Sequence, residues 1–224
     1  MYTCIHNVDW VDQMQAKVIA DQVKTALLRG AFQPGEKLKQ EDLAKLYGAS
    51  RIPVRDALAL LAIDGLVVLT PNKGAHVVAM TEVEIREAFD LRVMLEADVL
   101  RRATPRHDVK SLEKLHYALR RSDLEALRPD WAEGDRMFHA ALYAPAGRGR
   151  QIAMIEGLRI ACQIQIAAYS ALPERTPDWL SDHHLMVEAV QAGGIETAVQ
   201  HLIRHLREAE AHLLAAMSGK SLKN

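Results

Sequence analysis

The chain has 224 residues, of which 49% are hydrophobic and 25% charged, and its formal net charge is -1. This length suits one large or two modest domains with ordinary globular cores, and the near-neutral charge excludes a broadly basic nucleic-acid-binding protein. Any DNA surface must therefore be a local patch. Two distant cysteines, Cys4 and Cys162, exclude a disulfide framework and favour a reducing, cytoplasmic location. Neither a signal peptide nor a run of about 18 apolar residues is found, so we expect no membrane partner.

The first part of the chain predicts two helices in sequence. Residues 1–9 are expected to form a loose lead-in to a helix at 10–29, which Gly30 ends before a turn at 34–35. A second, short helix is predicted at 41–47. The apolar positions expected on the inner faces are Val18, Ile19, Val23, Ala26 and Leu27 in the first helix, and Leu43, Ala44 and Leu46 in the second.

A third helix is predicted from Arg51 to Ile63, directly after a turn closed by Gly48. Ser50 is a suitable N-cap, because its hydroxyl can accept a hydrogen bond from a first-turn amide. Arg51 and Arg55 are four residues apart, so both guanidinium groups project from one face. A short helix that follows a tight turn and presents two arginines is typical of a recognition helix in the DNA major groove. An ordinary surface helix with two solvated arginines is the alternative.

The hydrophobic period then changes from that of a helix to that of strands. Two apolar, β-branched runs at 66–70 and 75–79 flank the turn cluster at 71–74, which predicts a β-hairpin. Three helices followed by a hairpin are the order of a winged helix-turn-helix. At the hairpin tip, Lys73 can contact a phosphate and Gly74 permits close backbone approach. Residues 1–79 are therefore predicted to form a DNA-binding domain.

Between Gly30 and Gly74 the chain carries a fixed series of small, apolar and basic residues: Gly30, Pro34-Gly35, Leu38, Leu43-Ala44, Ser50-Arg51, Pro53-Val54-Arg55, Ala57-Leu58, Leu61, Gly65-Leu66 and Gly74. This series resembles the DNA-binding domain of the GntR family of bacterial transcription regulators. The resemblance implies that Ser50, Arg51 and Arg55 contact DNA and that the wing residues Lys73 and Gly74 lie near the minor groove. It also makes two residues at the start of the second helix candidate contacts to the DNA backbone, with a solvated surface as the alternative: Lys39 and Gln40.

Residues 80–224 predict a second domain that is entirely helical. Thr81 and Glu84 have the spacing of a capping box, so a helix begins directly after the hairpin. Further helices are predicted at about 108–126, 131–143, 150–171, 179–192 and 195–217. Six helices joined by short loops are typical of an antiparallel bundle. The predicted fold class is mainly α: an N-terminal winged helix-turn-helix with a small β-hairpin, plus a C-terminal all-α antiparallel helical bundle.

The second domain also carries a pattern of metal-binding residue types, since eight of the ten histidines lie after residue 100. Asp135 and His139 are four residues apart on one predicted helix, so their side chains can converge on one ion. Two further helices add imidazoles, and spacing alone leaves a choice in each: His183 or His184, and His201 or His205. One carboxylate and three imidazoles with open positions suit Zn²⁺, with Ni, Mn or Fe as alternatives.

A second series of residues runs from about 82 to 217: Leu91-Arg92, Leu95-Glu96, Asp135-x-x-Phe138-His139-x-x-Leu142, Asp182-His183, Ala189-Val190-x-x-Gly193, Ala198 and His205-Leu206. It resembles the all-helical, FCD-type ligand-binding domain of the FadR-like branch of the same family. By analogy the metal ligands are Asp135, His139, His183 and His205, and the effector is a small carboxylate. The chain departs from the pattern at Asp182, where a glutamate is usual, and in the less basic helix at 150–171.

Four residues are candidate contacts for the effector. A guanidinium pairs well with a carboxylate, which favours Arg92 in the middle of an apolar helix. An ion pair between Arg92 and Glu96, four residues further on, is the alternative. The weaker candidates, for which a structural role is the alternative, are Gln163, Gln165 and Tyr169.

These patterns together predict a cytoplasmic transcription regulator, and specifically a repressor, that binds a near-palindromic operator as a homodimer. Binding of a small organic acid would change its operator affinity. A metal-dependent enzyme and a helical module with a structural ion are the alternatives. We expect no enzyme activity, because no general-base motif such as H-E-x-x-H accompanies the histidines and a fused winged helix would have no role.

Overall fold

A computed structural model describes residues 5–126, 128, 131–169 and 176–219. Nine α-helices and one three-stranded sheet occur within these residues. The chain divides after Ala79 into two compact units. The first unit contains three helices and the sheet, and the second contains the other six helices. The predicted fold class, mainly α with a winged helix-turn-helix and an all-helical second part, is confirmed.

The first unit combines three helices with a small antiparallel sheet: α1 (Ile5–Leu28), β1 (Lys37–Leu38), α2 (Gln40–Tyr47), α3 (Arg51–Ile63), β2 (Val67–Thr70) and β3 (Gly74–Val77). The strand order is β1-β3-β2. Ala75 of β3 lies opposite both Leu38 of β1 and Leu69 of β2. Helix α1 packs against α3, and Leu27, Val54 and Leu58 are fully buried. This packing fixes α3 to the body of the unit and leaves its other face exposed.

Three details of the first unit differ from the sequence predictions. Helix α1 begins at Ile5, so part of the expected lead-in is helical. Val18 and Leu46 were predicted to face inward, but they are 53% and 65% exposed. In α1 the buried residues Ile19 and Val23 define the inner face. Val18 directly precedes Ile19, so its side chain points about 100° away from that of Ile19 around the helix axis. Strand β1 was not predicted, because a two-residue strand is too short to show alternation.

The second unit consists of six helices: α4 (Glu82–Ala103), α5 (Val109–Glu125), α6 (Trp131–Tyr143), α7 (Gly149–Ala168), α8 (Thr176–Gln191) and α9 (Ile195–Met217). Helix α4 contacts α6, α7 and α9, while α8 lies between α5 and α9. Phe89, Phe138 and Leu142 are fully buried in its core. The predicted capping box is present, since Glu84 Oε2 accepts from the Thr81 amide at 2.7 Å. Within the described ranges, no helix has both the length and the hydropathy that a bilayer span requires.

Gly134 allows α5 and α6 to approach each other closely. A Cβ atom at this position would lie 3.0 Å from Glu125 Oε2 and 3.1 Å from the Cα atom of Ser122. The second of these contacts is with backbone, so no side-chain rotation could relieve it. Ser122 also reaches α8, where its hydroxyl lies 3.3 Å from His183 Nδ1.

Candidate metal centre and nucleic-acid interface

The turn between α2 and α3 presents the start of α3 to solvent. Gly48 closes α2 with a φ of 61°, a conformation that glycine adopts without strain. Arg51 and Arg55 lie on the exposed face of α3. Ser50 occupies the N-cap position, but the predicted capping bond is not made, because its hydroxyl does not reach a first-turn amide. Water can satisfy these exposed amides instead, so the Ser50 hydroxyl is left at the surface.

Both arginines of α3 have an exposed carboxylate as a partner. Arg51 Nη2 contacts Glu41 at the start of α2, and both side chains are 64% exposed. Arg55 Nη2 lies 3.0 Å from Asp56 Oδ1. Exposed ion pairs contribute about 0–1 kcal/mol, because water competes for both charges. The pairs therefore do not prevent either guanidinium group from binding another anion.

The β2–β3 turn forms a protruding tip that carries cations. Asn72 and Gly74 adopt positive φ angles of 60° and 95°, and Lys73 between them is exposed. Lys37, which the sequence analysis overlooked, lies beside the tip: a Cβ atom on Gly74 would be 3.3 Å from Lys37 Cε. The unpredicted strand β1 places Lys37 there. Lys39, just before α2, is also exposed.

Four buried side chains of the second unit converge on one point. Helix α6 supplies Asp135 and His139, α8 supplies His183, and α9 supplies His205. One ligand atom from each residue lies within 4.8 Å of the others. Asp135 Oδ1 is 3.5 Å from His139 Nε2 and 3.7 Å from His183 Nε2. We refer to these four residues as the Asp-His cluster.

The two alternative histidines lie outside the Asp-His cluster. The His184 side chain is 51% exposed, and its Nε2 is 3.1 Å from Asp123 Oδ2. His201 is half-buried, one turn before His205 on α9. Adjacent residues on a helix point about 100° apart, so only one of His183 and His184 can face the interior. The structure thus brings together the same four residues that the family resemblance implied.

A chain of hydrogen bonds orients His139. Its Nδ1 is 3.0 Å from the Tyr143 hydroxyl, which donates to Glu96 Oε2 at 2.6 Å. Burial alone would raise the pKa of Glu96, but Arg92 and Arg159 outweigh it and lower this pKa to about 2. Because the Tyr143 proton goes to an ionised carboxylate, the Tyr143 oxygen accepts from His139 Nδ1–H. The lone pair of His139 Nε2 then faces the cluster.

In the other two imidazoles, the ring nitrogen that points away from the Asp-His cluster, here called the outer nitrogen, also faces a polar group. His183 Nδ1 is near Ser122 Oγ, and His205 Nδ1 lies 3.8 Å from Asp182 Oδ2. The other oxygen of Asp182 accepts from Arg204 Nε at 3.1 Å. Groups that contact the outer nitrogen of a histidine fix its tautomer and ring orientation in metal sites.

All three cluster imidazoles are held in the neutral form. Burial is the largest cause, because it penalises the charged ring, and it lowers the pKa of His183 to about 3. Burial and then Arg159 lower the pKa of His139, while burial and the neighbouring imidazoles lower that of His205 well below its usual value. Neutral imidazole is the form that binds metal ions, so no proton has to leave these rings at neutral pH.

Arg159 is a residue of this site that the sequence analysis missed. Its Nη2 lies 2.5 Å from Asp135 Oδ2, and Gln163 donates to the same oxygen at 2.7 Å. Burial opposes ionisation of Asp135, but the guanidinium of Arg159 holds the pKa of Asp135 well below its ordinary value. Asp135 Oδ2 thus accepts hydrogen bonds from side chains of α7, and Asp135 Oδ1 faces the imidazoles. The four-residue spacing of Arg159 and Gln163 was the available signal that both side chains share one helix face.

The Asp-His cluster fits a divalent cation. Among the described residues, His139 Nε2 and His183 Nε2 are buried without a hydrogen-bond partner. Buried polar atoms are nearly always partnered, so lone pairs that point at a shared carboxylate indicate a site for a cation. Three nitrogens and one carboxylate oxygen are a donor set that zinc accepts. The remaining coordination positions would be open to a small ligand.

The four predicted effector contacts occupy different surroundings. Arg92 is buried and forms the alternative ion pair, with its Nε 2.8 Å from Glu96 Oε1. Gln163 is engaged by Asp135, as described, and Gln165 is fully buried on α7. Helix α7 ends at Ala168, before the predicted residue 171, and Tyr169 directly after it is 38% exposed.

Both units match known protein families. Residues 15–77 match the family described as bacterial regulatory proteins, gntR family. Residues 87–208, more than half of the chain, match the FCD domain. The chain belongs to the GntR family. The family resemblance of the sequence is therefore confirmed.

The relatives that align along most of the chain are transcription regulators. They confirm the prediction of a regulator rather than an enzyme. The HTH-type transcriptional repressor GlaR of Escherichia coli (strain K12) is 29% identical over 88% of this chain and 94% of its own length. The gluconate operon transcriptional repressor of Bacillus licheniformis is 25% identical over 81% of this chain and 78% of its own length.

Solved structures share the fold. Escherichia coli McbR/YncC superposes with a TM-score of 0.80 at 21% identity, covering 91% of this chain and 98% of that one. A GntR transcriptional regulator from Rhodococcus sp. RHA1 gives a TM-score of 0.78 at 25% identity over 91% and 99% of the two chains.

Proposed function

We propose that this GntR regulator is a cytoplasmic homodimeric repressor that releases its operator when a small carboxylate binds at a divalent ion in the second unit. The observation that carries the proposal is the buried Asp-His cluster in a chain whose other unit is a winged helix-turn-helix. A homodimer is expected because one winged helix reads only a short half-site, and two-fold symmetry doubles the site.

The start of α3 and the wing supply the DNA contacts in this proposal. Among the described residues, the ion-pair partners of Arg51 and Arg55 are exposed carboxylates, which DNA can replace. An arginine in the major groove recognises guanine through two parallel hydrogen bonds. The remaining proposed contacts to the DNA backbone are Ser50, Lys39, Lys73 and Gly74.

The Asp-His cluster would hold the ion, and zinc is the ion whose preferred donors it offers. When bound, the ion supplies positive charge and open coordination positions for a carboxylate oxygen. The protein supplies neutral imidazoles and, through Arg159 and Gln163, a fixed orientation of Asp135. These side chains come from α6, α7, α8 and α9, four of the six helices of the second unit, so a ligand bound at the ion would be linked to all four.

A measurement of operator affinity tests the coupling. Operator sequences are selected from random duplex DNA with the full-length protein, and dissociation constants are measured with zinc-loaded protein with and without saturating benzoate. We expect benzoate to weaken operator binding by about 5- to 150-fold, the usual range of allosteric coupling. His139→Ala should abolish this response, and His184→Ala, the exposed neighbour of the cluster, should retain it. The coupling is refuted if His139→Ala responds like the wild type.

The recognition residues are tested in the same assay. Arg51→Ala and Arg55→Ala should each weaken specific operator binding by about 1–3 kcal/mol if they contact bases. Lys73→Ala should weaken binding to all sequences and reduce the salt dependence by about one released counterion. Arg101→Ala is the matched control, since Arg101 is an exposed arginine of the second unit paired with Glu196. Equal effects at Arg51 and Arg101 would contradict the proposed interface.

A further inference from the structure

Two lysines reach the tip of the wing, the β2–β3 turn, from different parts of the chain. Lys73 lies within the turn and is exposed, whereas Lys37 extends from β1. A Cβ atom added to Gly74 would lie 3.3 Å from Lys37 Cε and 4.0 Å from Lys37 Nζ. The ammonium group of Lys37 therefore lies beside the backbone of the residue that follows Lys73.

Strand β1 fixes the direction in which Lys37 points. Leu38 is 2% exposed and anchors this short strand in the core. The strand is also held through its backbone, since the Val77 amide donates to the Glu36 carbonyl at 2.9 Å. Successive side chains of a strand point to opposite faces, so the burial of Leu38 turns Lys37 to the outer face of the sheet. There it lies opposite His76 of β3.

The positive charges of the two wing lysines are not neutralised by the protein. Within the described part of the chain, neither Lys37 nor Lys73 forms an ion pair. Lys39, by contrast, lies 4.0 Å from Asp42 Oδ2. Glu36 directly precedes Lys37, but its carboxylate accepts from a backbone amide at 2.8 Å. Two cations without a counter-charge at a protruding tip create a local positive potential that attracts an anion.

We propose that Lys37 binds the DNA backbone together with Lys73, so that the wing holds phosphodiester groups with two ammonium groups rather than one. This inference rests on the proposed DNA-binding function and adds a contact that lies outside the turn. Lysine binds phosphate as a point charge, and phosphate contacts carry no direct sequence information. The lysine pair supplies affinity for any duplex. Gly74 then has two roles, since its φ of 95° suits glycine and any side chain there would displace Lys37.

The salt dependence of binding to duplex DNA of random sequence tests the lysine pair, because it counts phosphate contacts independently of base recognition. Fluorescence anisotropy with the full-length protein gives dissociation constants between about 50 and 200 mM salt. Lys37→Met keeps most of the aliphatic stem and removes the charge. We expect it to reduce the slope of log affinity against log salt by about 0.9 for each bound protomer. Binding to random and operator duplexes should weaken by the same factor.

Two further variants control for charge and for position. Lys37→Arg retains the cation and should keep the slope of the wild type. Lys110→Ala removes an exposed lysine of α5 and should leave the slope unchanged. Because Lys37 is exposed, Lys37→Met should unfold at the same temperature as the wild type, and Lys37→Gln replaces it if it does not.

The outcomes separate this inference from the proposed function. A wild-type slope in Lys37→Met, or an equal reduction in Lys110→Ala, would overturn the role of Lys37 and leave DNA binding by the first unit standing. If the wild-type protein binds neither random duplex nor any selected operator, the proposed DNA-binding function fails together with the inference.

Discussion

The two units both pair arginine with a carboxylate, but in opposite surroundings. Arg51 and Glu41 in the first unit are each 64% exposed. Arg159 and Asp135 in the second unit are 3% and 10% exposed. Water can replace either partner of the exposed pair at little cost, whereas the buried charges depend on each other. The exposed pair is therefore suited to exchanging partners with DNA, and the buried pair to holding a ligand set in place.

The largest expected effect tests this contrast in burial. Arg159→Leu leaves the carboxylates of Asp135 and Glu96 buried without their shared cation, which should lower the free energy of unfolding by about 3–5 kcal/mol. Arg51→Ala, the exposed counterpart, should change it by less than about 1 kcal/mol. Urea unfolding of the zinc-free protein at pH 7 measures both. Equal losses would show that burial does not distinguish the two pairs.

The buried imidazoles should make the zinc-free protein sensitive to mild acid. The pKa of His183 is about 3 in the folded state and about 6.5 in the unfolded state. Between these two pH values the unfolded chain therefore binds more protons than the folded chain. Stability is thus fully present above pH 6.5 and is lost as the pH falls towards 3, by about 1.4 kcal/mol per pH unit for each such histidine.

A pair of histidine variants sharpens this expectation. Between pH 8 and pH 5, His183→Leu should lose about 2 kcal/mol less of its free energy of unfolding than the wild type does. His184→Leu should follow the wild type, because His184 is exposed. Stability that declines only below pH 5, where carboxylates titrate, would argue against neutral buried imidazoles.

A smaller effect is expected where α5 and α6 meet. Gly134→Ala forces a methyl group against the Ser122 backbone, which should cost about 1–2 kcal/mol after the gain in helix propensity. Gly157→Ala in α7 meets nothing within 4 Å and should be neutral or stabilising. Thermal unfolding compares the two. If Gly134→Ala is as stable as Gly157→Ala, the helices are not held as closely as described.

Local patterns predicted much of the fold. The bounds of α3 and the capping box at Thr81 were obtained correctly, because apolar periodicity and caps depend on neighbours within a few residues. Strand β1 was missed, since pairing with β3 alone defines it. Ser50 is the N-cap residue, as predicted, but its capping hydrogen bond is not made, because the spacing of residues does not determine where a hydroxyl points.

The site was less predictable than the helices that form it. The spacing of Asp135 and His139 indicated two members, but spacing alone left the choice between His183 and His184 open. The groups that orient these residues come from distant parts of the chain: Arg159 is 24 residues from Asp135, and Ser122 is 61 residues from His183. Such contacts depend on the packing of the bundle and leave no periodic signal in the sequence.

The most direct test of the central claim is the affinity of benzoate for zinc-loaded protein, measured free and saturated with operator DNA. We predict that benzoate binds the operator-bound protein more weakly, by the same factor by which it weakens operator binding, because coupling between two binding sites is reciprocal. Equal benzoate dissociation constants in the two states would contradict the claim that the second unit controls DNA binding through this site.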